Sequence, residues 1–134
     1  MKKSFLLTIL FLFLIGANTQ SYASQMSTKR ANLTVTQMRT MSATLDTFDS
    51  KIHTKSLFSP EENEELFNIK SKLDNQMINK PDTSLAPLYF KAGNIFSARE
   101  YNKEAADCYQ TITENFGSTI YAQKAKRELA RPGR

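Results

Sequence analysis

The chain has 134 residues, a formal net charge of +5, one Cys, one His and no Trp. A single cysteine excludes an internal disulfide framework, and a single histidine excludes the His pairs of metal and acid–base sites. The length suits one small domain once any targeting segment is set aside.

Met1-Lys2-Lys3 is a positive start, Phe5 to Ile15 is apolar apart from Thr8, and Ser21-Tyr22-Ala23 is a small-x-small site. That order is the three-part pattern of a secretory signal peptide. The apolar run is about 11 residues, against roughly 20 for a helix that spans a bilayer. Residues 1–23 are therefore expected to be a cleaved signal peptide, with an uncleaved anchor as the alternative. No Cys lies near the cleavage site, which argues against a lipid-anchored protein. The mature chain is expected to begin at Ser24 and to be exported, with the periplasm as the leading location and secretion as the alternative.

The segment 24–58 is read as an N-terminal amphipathic helix, running from Met26 or Lys29 to Ile52. Ala31, Val35, Met38, Met41, Leu45, Phe48 and Ile52 follow at steps of three and four residues, close to a heptad seam. The β-branched residues Thr34, Val35 and Thr36 lower helix propensity. The helix therefore needs a partner surface, either in its own domain or in a second copy of the chain.

The segment 59–134 is read as a helical domain. Ser59-Pro60-Glu61-Glu62 is a helix start, with Ser59 as cap, Pro60 in the first turn and Glu62 returning a bond to the cap. Leu66, Phe67, Ile69, Leu73 and Met77 form its apolar stripe. The run from Lys80 to Ser84 ends it. A third helix spans Leu85 to Ala98 or Arg99, with Thr83 or Ser84 as cap. A fourth covers Asn102 to Asn115, with Gly117 expected in a left-handed cap. A fifth starts from Ser118 and runs through Ala130 until Pro132. The fold class expected is all-α, with about five helices arranged as antiparallel hairpins and a capping helix.

No residue pattern marks a catalyst. His53 stands alone, and Cys108 reads as a small buried apolar residue. The carboxylates of Glu61 to Glu65 lack the Asp/Asn–Gly loop of a calcium site and suit a helix N-terminus. No cofactor, metal or nucleic-acid site is expected, nor any enzyme activity. Lys124, Lys126, Arg127, Arg131 and Arg134 face Glu128 alone, which makes the end of the chain basic. That basic end suits either a solvated helix terminus or an acidic membrane surface or partner.

Tyr89, Ala92-Gly93, Phe96, Ala105 and Tyr109 fall at the offsets that two tightly nested helices need. The span Leu85 to Ala130 resembles a tetratricopeptide (TPR-like) repeat with the first helix of a following unit. Gly117 departs from the family's closing Pro, and Ala92 from its usual Leu. The ending Phe116-Gly117-Ser118, with Ala122 and Ala125, is similar to repeats of bacterial cell-envelope proteins. Those include the Tol–Pal-associated coordinator and outer-membrane assembly lipoproteins. The resemblance implies helix packing through Tyr89, Gly93, Phe96, Ala105 and Tyr109, with Gly93 facing Ala105. It also implies a partner-binding groove of Phe90, Asn94, Ser97, Tyr121, Lys124 and Glu128. The function it implies is a non-catalytic protein-binding module for another envelope protein or peptide segment. The alternatives are a self-associating envelope protein that uses the N-terminal seam, and a small secreted or membrane-surface-binding protein.

Overall fold

The computed structural model describes residues 32–132, and these form five α-helices and no strand. The helices are α1 (Val35–His53), α2 (Pro60–Asn79), α3 (Leu85–Ala98), α4 (Asn102–Asn115) and α5 (Ile120–Leu129). The expected signal peptide lies outside the described residues, as do residues 24–31 of the N-terminal segment.

α3 is the centre of the domain. Leu85, Ala86, Leu88, Tyr89, Ala92, Gly93, Ile95 and Phe96 are all buried along it. A helix that is apolar on nearly every side must be covered on every side. α1, α2, α4 and α5 each pack against α3, and α4 also packs against α5.

α1 starts later than its heptad pattern suggests. Thr34 is the cap, accepting from the Gln37 amide at 3.2 Å while its own amide donates to Gln37 Oε1 at 2.8 Å. A threonine that disfavours helix interiors is well suited to this end position. Thr40, Thr44, Thr47 and Ser50 each donate their hydroxyl to the carbonyl four residues earlier. Met41, Leu45 and Phe48 of the seam are buried, Met38 and Ile52 are packed at the edge, and Val35 is exposed. The seam is thus taken up within the domain, along the contact with α3. Lys91 ties the two helices further, donating to Ser42 Oγ at 3.0 Å and Asp46 Oδ1 at 2.5 Å.

α2 begins as its sequence signals. Ser59 and Glu62 form a reciprocal capping box with Pro60 in the first turn. Lys51 of α1 also donates to Glu62. Those bonds, led by the one from Lys51, hold the Glu62 carboxyl below its ordinary range. Leu66, Ile69 and Leu73 are fully buried. Phe67, expected in the same stripe, keeps 38% of its surface exposed. It packs edge-on against Phe96 and Tyr101, with both ring centroids at 5.2 Å. Gln76 is the one buried polar residue of the described core. Its Oε1 accepts from the Leu33 amide at 2.6 Å and its Nε2 donates to the Lys80 carbonyl at 3.1 Å. That side chain fastens the entry of α1 to the exit of α2.

The ends of α1 and α3 share one geometry. After α1, Lys55 adopts φ 55°, with bonds from Lys55 N to Ile52 O and from Ser56 N to Lys51 O. After α3, Glu100 adopts φ 65°, with bonds from Glu100 N to Ser97 O and from Tyr101 N to Phe96 O. Both are Schellman caps with a left-handed residue that is not glycine. At α3 the accompanying apolar contact is present, the Phe96 and Tyr101 rings lying 6.1 Å apart.

Gly117 is not the left-handed cap expected of it. Its φ lies outside that region. The chain leaves α4 through Phe116 at φ −126°, because the Phe116 ring is drawn into the core. The cap of α5 is Thr119, one residue after the expected Ser118. Its amide and hydroxyl donate to the Phe116 carbonyl at 2.9 and 2.7 Å.

Candidate functional site

Tyr89, Gly93, Phe96, Ala105 and Tyr109 are all buried between the helices. The partner of Gly93, however, lies one turn beyond Ala105. A Cβ on Gly93 would stand 2.8 Å from Tyr109 Cε1 and 3.2 Å from Cys108 Cβ. The absent side chain therefore makes room for the Tyr109 ring, which then occupies the seam between α3 and α4. Packing a whole aromatic ring there needs more space than an alanine opposite it would.

That placement sets the groove next to it. Tyr109 donates to Asn94 Oδ1 at 2.8 Å. The bond fixes the Asn94 amide, leaving its nitrogen as the group that donates. Asn94, Ser97, Ala98, Tyr109, Glu128 and Arg131 line an open cavity of about 340 Å³ between α3 and the end of α5. Arg131 donates to Glu128 at 3.1 Å along its rim.

The other half of the groove is aromatic. The Phe90 ring lies 5.8 Å from Tyr121 and 5.9 Å from Tyr109, tilted in both cases. Lys124 Nζ stands 5.4 Å from the Tyr121 ring centroid and 5.8 Å from that of Phe90, within cation–π reach. Phe90 and Tyr121 are half-buried and Lys124 is exposed. Phe90, Tyr121 and Lys124 thus form one cluster, and Asn94, Ser97 and Glu128 line one cavity. α3 and α5 hold both. Small Ala122 and Ala125, both buried, make up the inner side of α5.

Ala98 joins the groove without having been singled out from the sequence, Arg131 joins it from the basic end of the chain, and Tyr109 serves it as well as the core. For Arg131 the available signal was its three-residue spacing from Glu128. For Tyr109 no signal existed, because its bond to Asn94 crosses between helices.

A second cleft, of about 180 Å³, lies between α1 and α2. Leu33, Thr36, Gln37, Thr40, Met41, Thr44, Glu65 and Lys72 line it. It contains no titratable pair beyond Glu65 and Lys72, 3.8 Å apart.

The groups with reactive potential lie elsewhere. His53 is exposed at the end of α1, its Nδ1 2.8 Å from the Asp49 carbonyl oxygen. Cys108 is fully buried, and burial pushes its thiol up to about 12. A protonated, inaccessible thiol is a poor nucleophile. Near it, Asp74 accepts from Tyr89 Oη at 2.9 Å and from Lys70 Nζ at 2.8 Å. Burial and the Asp74 charge raise the Tyr89 hydroxyl well above its ordinary range. Burial pulls Lys70 down, but its bond to Asp74 outweighs this and the ammonium ends above its usual value. This trio pins α2 to α3. Among the described residues, no three His, Cys, Asp or Glu side chains cluster as metal ligands do.

Compared with family models, curated proteins and solved structures, the chain matches none.

Proposed function

We propose that this chain is a non-catalytic, exported TPR-like binding module of the bacterial cell envelope. Its α3–α5 groove takes a peptide segment of another protein. The observation that carries this reading is the joining of two distant sequence regions into one mixed surface. Phe90 and Tyr121 supply apolar rings, Lys124 and Arg131 supply cations, and the oriented Asn94 amide supplies a neutral donor. A few fixed polar groups beside aromatic side chains are what recognition of a peptide requires. The signal-like residues 1–23 support an exported location, and the small-residue and aromatic spacing of α3 and α4 supports the repeat resemblance.

Self-association through the N-terminal seam is the weaker reading. Met41, Leu45 and Phe48 are already buried inside the domain.

Photo-crosslinking in cells tests the proposal. A photoreactive side chain at Phe90 or Tyr121 should yield one discrete product shared by both positions. The same group at Lys103, exposed on the first turn of α4, should not yield it. Identical products from all three positions would refute a groove-specific partner.

A further inference from the structure

α5 carries an exposed row that borders the groove and shares Lys124 and Arg131 with it. Ile120, Lys124, Arg127 and Arg131 follow one another at steps of four, three and four residues, so they form one row along the helix and the turn after it. All four are exposed, while Ala122 and Ala125 on the opposite side are buried. The row contains three cations, of which Arg131 is paired with Glu128. Glu128, the acid of this helix, is largely covered on the groove side, where it accepts from Arg131.

We propose that this row docks the protein on an anionic membrane surface. The cations meet phosphate-bearing lipid headgroups, and Ile120 enters the boundary between headgroups and acyl chains. Charge complementarity is the first argument, since a row of three cations with one paired acid beside it is attracted to a negative surface. The second is the kind of recognition on offer. Lys124 and Arg127 sit on long flexible stems, and Ile120 stands 63% exposed at the head of the row. Such an array suits a diffuse field of negative charge with an apolar layer beneath it. Among the described residues no helix is long and apolar enough to cross a membrane, and the contact proposed is peripheral. Lys124 and Arg131 also border the α3–α5 groove, so a peptide bound there would compete for the same cations, and the test is made without one.

Vesicle co-sedimentation tests it, using the chain from Ser24 onward, which keeps every described residue. Vesicles of phosphatidylglycerol and phosphatidylethanolamine are compared with vesicles of phosphatidylcholine, at low and high salt. Binding is expected to the anionic vesicles alone and to weaken with salt. A triple variant, Lys124→Gln, Arg127→Gln and Arg131→Gln, should lose binding by roughly a hundredfold, at roughly fivefold per cation. A matched variant, Lys55→Gln, Lys80→Gln and Lys103→Gln, removes the same charge elsewhere and should lose far less. Circular dichroism checks that both variants remain helical. Equal losses in the two variants would show a net-charge effect and overturn the proposal, as would indifference to lipid charge. Salt-sensitive binding of poly-glutamate without vesicle binding would overturn it in favour of an acidic protein partner.

Discussion

Lys55 and Glu100 occupy backbone positions that suit glycine. An L side chain in the left-handed region meets its own carbonyl, at a cost of about 1–2 kcal/mol, while glycine enters that region freely. Lys55→Gly and Glu100→Gly should each stabilise the fold by about 1 kcal/mol, raising Tm by roughly 4–8 °C for a domain of this size. Thermal denaturation checks this. Gly93 is the opposite case. It has an ordinary helical backbone, and alanine there would gain helix propensity. Its Cβ would, however, overlap the Tyr109 ring at 2.8 Å. Overpacking outweighs propensity, and Gly93→Ala should destabilise by about 1–3 kcal/mol in urea titrations. The same substitution should disturb the groove by moving the ring that orients Asn94.

Cys108 and Tyr89 give the fold a dependence on alkaline pH. Burial keeps both protonated in the native state at pH values where the unfolded chain releases its protons. For Cys108 the window runs from an unfolded value of 9.0 to about 12 in the fold. Within it the unfolded state binds fewer protons, so stability falls as pH rises. The stability is complete below pH 9 and is lost towards pH 12, at about 1 kcal/mol per pH unit from the thiol. Urea midpoints measured at pH 8 and pH 10 should differ accordingly, and Cys108→Ala should reduce the difference.

At the scale of elements, α2 is needed to cover α3. Leu66, Ile69 and Leu73 are fully buried, and each contributes about 1.5–3 kcal/mol of burial. The sum is comparable to the whole net stability of a small domain. Residues 83–134 alone should therefore lack a cooperative thermal transition as a monomer, which calorimetry can decide. How far these elements were legible in the sequence depended on the range of the forces involved. The start of α2 was plain because Ser59, Pro60 and Glu62 act within one turn. The bounds of α3 and α4 were plain because small and aromatic residues alternate there at helical spacing. The start of α1 was missed, since Thr34-Val35-Thr36 reads as a weak helix interior when Thr34 is in fact the cap. Gly117 does not take the left-handed conformation its type suggests, because the burial of Phe116 decides that turn. The bond from Leu33 to Gln76 and the fit of Tyr109 against Gly93 depend on tertiary approach, which local pattern does not carry. The groove residues were reached through the resemblance to a repeat, while Ala98 and the place of Arg131 beside the groove came only with the coordinates.

For the molecule as a whole, the central place of α3 makes the domain self-sufficient. Its most apolar helix is covered by four others from the same chain, and the N-terminal seam is largely used up inside. Sedimentation of the chain from Ser24 should accordingly show a monomer at micromolar concentration, and a stable dimer would contradict this account of the seam. The middle position of α3 in the chain has a further consequence for the order of events. α1 and α2 come first in synthesis, yet the surface they rest on is complete only at Ala98. A nascent chain thus carries its leading half without a surface to settle on until the third helix has emerged.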